Sequence, residues 1–344
     1  MTMKAMVLRE YARPLKMEEV DKPTIGPDEV LIRVAYCGIC GTDLKILEGK
    51  LPDIVRLPHI PGHEIAGTIV ELGPEVKDLR VGDRGIVYPY VSCKDCELCR
   101  RGRENICFSV KRLGFELKGG FAEYVRLPAY NFCKVQGSIE TLKKFAVLTD
   151  AGATPYHALK SIAGVTAGQK VLIVGAGGLG LHGVQIARIL GAQVVVADIR
   201  EENRSLAKTF GAELLIAATD EEGRKKIFSW TEGKGIDVVL EGVGSPLTFQ
   251  WSLNCLKRGG CLVIMGYDPS TPLSMNGKDL HYNEWRVSGT RLSTKQELLE
   301  LIELSSQGRL QPVVTMSVPM EEANRGLEIL KEGNTPGRIV LTAF

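Results

Sequence analysis

Hydrophobic and polar positions follow two different rhythms along the chain. Up to about residue 150, short apolar runs such as 29–36, 67–71 and 85–88 are broken by Gly, Pro and Asp. That pattern predicts short strands joined by tight turns. From 151 onward, largely apolar runs of five to seven residues recur at 170–175, 193–197, 213–217, 236–240, 260–266 and 285–289, and predict six strands. Stretches near 178–190, 201–210, 220–230 and 246–257 predict helices between the strands, and 294–306 a helix after the sixth. Uninterrupted apolar strands alternating with helices predict an α/β fold, with a parallel sheet covered on both faces. After 307 the chain is expected to return to short strands, ending with 337–343. The architecture expected is a β-rich domain of residues 1–150 and 291–344, with an α/β domain of 151–290 inserted near its end.

Composition narrows the function classes. The chain has 344 residues, 24% charged and 44% hydrophobic, with a formal net charge of +2. Those values exclude disorder and give no support to nucleic acid as a partner. The longest uncharged run, 171–187, contains five glycines and falls short of the ~20 apolar residues of a membrane span. The opening MTMKAMVLRE has no apolar signal region, so a cytoplasmic protein with no membrane partner is expected. Two counts stand out: 38 Gly, and nine Cys against five His.

The glycines concentrate at a turn. The run 171–174 is followed by Gly175-Ala176-Gly177-Gly178-Leu179-Gly180 and then by the predicted helix. In a strand–turn–helix context the first glycine permits the tight turn, the second lets backbone approach a pyrophosphate, and the third lets helix pack on strand. The helix N-terminus offers free N–H groups to phosphate. Asp198 ends the second predicted strand, where a carboxylate accepts hydrogen bonds from a ribose and repels a 2′-phosphate. NAD is therefore expected over NADP, with Arg200 and Arg204 nearby weakening that preference. A Gly-rich turn without a dinucleotide is the alternative, but it leaves Asp198 unexplained.

The cysteines also cluster. Cys93, Cys96, Cys99 and Cys107 follow C-x2-C-x2-C-x7-C, a spacing suited to a closed, structural zinc site within a lobe of about residues 90–110. An iron–sulfur cluster is the rival, but Phe108 stands where ferredoxin runs place proline. Disulfides are disfavoured in a reducing compartment. Cys37 and Cys40, taken alone, suit small buried side chains. His59 and His63 are four apart, but Pro58, Pro61 and Gly62 argue against a helical pair.

The ordered set GICGTD (38–43), GHE (62–64), the cysteine lobe and GAGGLG (175–180) resembles the zinc-dependent medium-chain alcohol dehydrogenases over nearly the whole chain. The resemblance implies a GroES-like catalytic domain enclosing a Rossmann NAD-binding domain, with the active site in the cleft between them. It also implies NAD and two Zn²⁺ per chain. Cys40 and His63 match the first two catalytic zinc ligands. Asp150 stands where many members carry a third cysteine, a departure similar to the bacterial secondary-alcohol dehydrogenases; a helix N-cap before Ala151 is its other reading. Glu64 matches the residue that enters or leaves the zinc shell. Thr42 matches the hydroxyl of the proton relay, Lys45 stands where several members have an outer-relay histidine, and Asp43 is placed to orient His63. Arg338 matches a pyrophosphate-binding arginine. The implied reaction is hydride transfer between NAD(H) and a secondary alcohol/ketone pair, in a homo-oligomer with a tetramer favoured over a dimer. Polyol, sugar or threonine dehydrogenases, a cyclic hydroxyacyl-CoA dehydrogenase, and a catalytically silent NAD-binding protein are the alternatives. Tyr88, Tyr90 and Trp285 are open between substrate contact and packing.

Overall fold

A computed structural model describes residues 1–333 and 335–344. Contacts divide the chain into two compact units, Met1–Asp150 with Thr294–Glu303 and Pro312–Phe344, and Ala151–Ser293 with Leu304–Gln311.

In the first unit, β1 (Thr2–Val7) pairs antiparallel with β2 (Lys16–Asp21). The main sheet combines β3 (Glu29–Ile39), β4 (Glu64–Leu72), β5 (Arg84–Val87), β8 (Tyr124–Pro128) and β9 (Phe132–Lys134) with two late strands, β16 (Val314–Pro319) and β17 (Arg338–Thr342). The strand order is β16-β17-β3-β4-β5-β9, with β8 also on β3, while β6 (Tyr90–Val91) and β7 (Lys111–Arg112) pair separately. Strand β3 is central. Its β-branched and aliphatic residues Val30, Leu31, Ile32 and Val34 are at most 1% exposed, because β3 is paired along its length and its faces are covered. Two registers position the site: Ile339 lies opposite Ile39, and Glu64 opposite Gly38. Cys40, Glu64 and Arg338 therefore come to the same end of the sheet from three distant stretches of chain.

The second unit holds a six-stranded parallel sheet in the order β12-β11-β10-β13-β14-β15. Its strands are β10 (Lys170–Val174), β11 (Gln193–Ala197), β12 (Leu214–Ile216), β13 (Ile236–Glu241), β14 (Leu256–Ile264) and β15 (Arg286–Gly289). This is the doubly wound order in which the chain reverses direction beside the first strand. Helices Gly178–Ile189, Glu201–Thr209, Glu221–Trp230 and Pro246–Cys255 connect the strands. Asp220 and Ser245 cap two of them by accepting from the N–H groups of Gly223 and Thr248. Leu172, Val195, Val239, Ile227 and Phe249 are among the buried core.

Two local expectations need correction, and one helix was not expected. The stretch after 307 is not strands alone: Ala323–Glu332 is a helix. Its buried positions Ala323, Gly326 and Leu327 fall at helical spacing, a signal too short to register among the flanking strands. Strand β14 starts at Leu256, inside the stretch read as helix to 257. The helix stops at Cys255, and β14 pairs irregularly with β13 between Ile236 and Val238, with Gly259 at φ 71°. The helix Gly277–Asn283 buries no residue, so it left no apolar periodicity to read.

Backbone approach between β3 and β4 is close at Gly67, where an added Cβ would stand 2.2 Å from the Arg33 carbonyl oxygen. Backbone there cannot yield as a flexible side chain would. Gly67→Ala is expected to lower stability by about 1–3 kcal/mol, read as a fall in thermal unfolding midpoint.

Candidate functional site

Strand β3 delivers Cys40 to the start of the helix Gly41–Leu47, where it is the N-cap residue. The Asp43 carboxylate, fully buried, accepts from the Cys40 N–H (2.8 Å) and the Gly62 N–H (3.3 Å). One carboxylate thus pins the backbone before both Cys40 and His63. Its Oδ1 lies 3.7 Å from His63 Nδ1, too long for a hydrogen bond. Residues 60–63 are not helical, as the prolines require. His59 is buried with Nε2 3.0 Å from the Gly114 carbonyl, a packing role.

Asp150 completes the set from the end of the stretch Ala146–Thr149. Its Oδ2 is 3.2 Å from Cys40 Sγ and 3.6 Å from His63 Nε2. With metal–donor distances of about 2.0–2.3 Å, a tetrahedral site has donor–donor edges of about 3.3–3.6 Å, so these separations suit a bound zinc. Donor atoms of Cys40, His63 and Asp150 all lie within 4.8 Å of one another. Asp150 is not the helix cap; that residue is Gly152.

The charge pattern supports a cation here. Burial works against a charged His63 imidazole. The Asp43 charge and the Asp150, Asp43 and Cys40 partners outweigh that effect and hold its pKa well above the ordinary range. Glu64 is fully buried, and its carboxyl is pushed up to about 8 by burial, with Arg338 opposing and Asp150 adding to the rise. His63 Nδ1 and Glu64 Oε2 are buried without a hydrogen-bond partner among the described residues. A divalent ion would take the place of a proton on His63 and of the one Cys40 shares with Asp150 Oδ2.

Arg338 is buried to 3% exposure, with Nε 3.0 Å from Glu64 Oε1 and Nη2 2.9 Å from Asp150 Oδ2 and 3.5 Å from Cys40 Sγ. It is placed there by the register of β17 on β3, which no local pattern reveals. Phe115, missed from the sequence, packs on His63 with ring centroids 5.1 Å apart.

Thr42 is half-buried, its hydroxyl 3.7 Å from Cys40 Sγ. Lys45 is half-buried on the same short helix, three residues on. Tyr88 and Tyr90 are buried and pack against each other at 6.1 Å, while Trp285 is half-buried and donates to the Lys257 carbonyl.

In the lobe, the sulfurs of Cys93, Cys96, Cys99 and Cys107 all lie within 4.8 Å of one another, four of the six separations being 3.5–3.9 Å, and all are free thiols. Four sulfurs at about 2.3 Å from one zinc have edges of about 3.8 Å, against about 2.05 Å for a disulfide. Hydrogen bonds, first from the Cys96 backbone, bring Cys93 down to about 6, whereas burial pushes Cys99 up to about 12. Without a cation among them the four cannot all be thiolates; zinc removes that conflict.

In the second unit the Gly-rich turn takes the expected form. Gly175 has φ 86°, and a Cβ on Gly180 would stand 2.0 Å from the Gly175 carbonyl oxygen. Gly177 is the cap of the helix that Gly178 and Leu179 begin, and a Cβ there would meet nothing within 4 Å, leaving room for a ligand. Asp198 accepts from the Ala176 N–H (2.7 Å), the Arg200 N–H (2.8 Å) and Asn203 (3.0 Å). Arg204 donates to the Asp198 carbonyl.

Comparison with known proteins agrees with this geometry. Residues 26–137 match the alcohol dehydrogenase GroES-like domain, and residues 178–307 match the zinc-binding dehydrogenase domain. The chain is 35% identical to a protein named NAD-dependent alcohol dehydrogenase from Sulfolobus acidocaldarius, over 98% of this chain and 99% of the relative. It is 33% identical to an acryloyl-coenzyme A reductase of Sulfurisphaera tokodaii, over 98% and 99%. The crystal structure of an alcohol dehydrogenase from Aeropyrum pernix superposes with a TM-score of 0.93 at 35% identity, covering 98% of this chain and 99% of that one. The chain belongs to the zinc-binding, GroES-like alcohol dehydrogenase family.

Proposed function

We propose that this chain is a zinc- and NAD-dependent oxidoreductase that moves hydride between NAD(H) and a secondary alcohol/ketone pair. The convergence of Cys40, His63 and Asp150 within one donor set carries the reading. It supplies three protein ligands, a thiolate and a carboxylate among them, whereas the lobe supplies four sulfurs and is closed. Bound zinc supplies a Lewis acid for the substrate oxygen and NAD the hydride acceptor.

The remaining work falls to the chain. Asp43 holds the Cys40 and Gly62 backbone, and with it the aim of His63. Arg338 balances Glu64 beside the set and keeps it within reach of the zinc shell. The Thr42 hydroxyl takes the substrate proton, with Lys45 as outer carrier on the same short helix. The turn 175–180 cradles the pyrophosphate, and Asp198 receives the adenosine ribose. A homo-oligomer, tetramer over dimer, with edge strand β15 as its pairing surface, and a cytoplasmic location belong to the same reading. No helix among the described residues is long and apolar enough to cross a membrane. A coenzyme A thioester substrate is the second reading, favoured by the relative named acryloyl-coenzyme A reductase.

NADH absorbance across secondary alcohols, diols, threonine and acyl-CoA thioesters separates these readings. Turnover of secondary alcohols is expected; turnover confined to thioesters selects the second reading, and none at all, with NAD bound, selects a silent protein. Asp150→Ala is expected to abolish turnover and halve the zinc content measured by atomic absorption, the lobe keeping its ion. Unchanged zinc content rejects the ligand assignment. Asp198→Gly is expected to raise KM for NAD selectively, with little change in kcat; a parent protein that prefers NADP contradicts the role given to Asp198.

A further inference from the structure

Glu241 is fully buried, and the chemistry above makes no use of it. It ends β13 and lies opposite Val174, the last residue before the Gly175 turn. Its Oε1 accepts from the Val243 N–H (3.2 Å) and the Thr248 hydroxyl (2.8 Å), and its Oε2 from the Gly244 N–H (2.7 Å). A carboxylate is costly to bury unless hydrogen-bonded. Here one turn, residues 242–248, folds its donors around it. The backbone locks the same place: the Gly242 N–H donates to the Val174 carbonyl, and the Met265 and Gly266 N–H groups to the Glu241 carbonyl.

The position of this turn gives it a use. The strand order changes direction between β10 and β13, and ligands of open α/β sheets bind in the crevice outside the carboxyl ends at such a point. Asp198 stands on the β11 side of β10. The turn held by Glu241 stands on the β13 side. Val243 is 50% exposed, and its Cγ2 is 3.0 Å from where a Gly175 Cβ would be, so an apolar side chain overhangs the Gly-rich turn from the side opposite Asp198. A dinucleotide with its adenosine on Asp198 would have to cross the Gly-rich turn toward this side.

We propose that Glu241 is a positioning residue that holds the 242–244 turn as the β13-side wall of the dinucleotide crevice, against the nicotinamide half. This inference rests on the NAD reading of the same site. Glu241→Gln keeps the volume but turns one acceptor into a donor that faces N–H or O–H groups. Thr248→Val removes a single partner.

The test is calorimetric titration of zinc-loaded, full-length protein with NADH and with AMP, which carries only the adenosine half. Glu241→Gln is expected to weaken NADH by about tenfold while AMP affinity stays within about twofold; Thr248→Val is expected to act in the same direction by less. Equal weakening of both ligands, the mark of a general structural defect, overturns the proposal, as does unchanged NADH affinity in both variants. If Glu241→Gln does not fold, Thr248→Val decides by the same comparison. Parent protein that binds neither ligand removes the dinucleotide reading itself, and this inference with it.

Discussion

Cys40, Asp43, Glu64 and Asp150 bring four acidic side chains into one buried place, each no more than 9% exposed. Ionised and unpaired, buried acidic groups are among the most expensive features a fold can contain. Two basic side chains answer them. Arg338 bridges Glu64 and Asp150 and reaches Cys40, and against the effect of burial Asp43 and Asp150 raise the pKa of His63. The first unit depends on this balance because its members come from four separate stretches of chain. Strand β17 must return to β3 in the observed register, or Arg338 does not arrive and Glu64 is left buried without a counter-charge.

The lobe solves a different problem with the same kind of ion. The helix Glu97–Arg100 has no buried residue, so the segment has little core of its own. Four sulfurs around one zinc supply the cross-links that a core would otherwise provide. Ligand number separates the two centres: four sulfurs close a site, and three protein donors leave a position for a reacting oxygen.

Hydrogen-bonded carboxylates also organise the second unit, there mainly through backbone N–H groups. Asp198 ties the Gly-rich turn to the segment after β11, and Glu241 gathers the turn after β13. The two stand on opposite sides of β10, where the sheet order reverses. Both are satisfied by the chain itself before any ligand is present, so the crevice walls are set in advance and the ordering cost on binding is reduced.

The parts of the fold legible from sequence were those governed by neighbours in the chain. Alternating strands and helices, the glycines at 175–180 with Asp198 after the next strand, and the spacing of Cys93, Cys96, Cys99 and Cys107 all express local geometry. The motifs GICGTD and GHE, through resemblance, pointed to Cys40, His63 and Asp150 as one set, and the structure brings them together. What the sequence left open was decided across long separations. The guanidinium of Arg338 sits on Glu64 and Asp150 because β17 pairs with β3. Asp150 faces Cys40 and leaves the helix cap to Gly152. The helix Ala323–Glu332 packs its short apolar stripe in a region read as strands. Glu241 passed unnoticed because an acid at a strand end has no local signature. Local periodicity fixes which elements form; register and burial, which join residues hundreds of positions apart, decide which charges must meet.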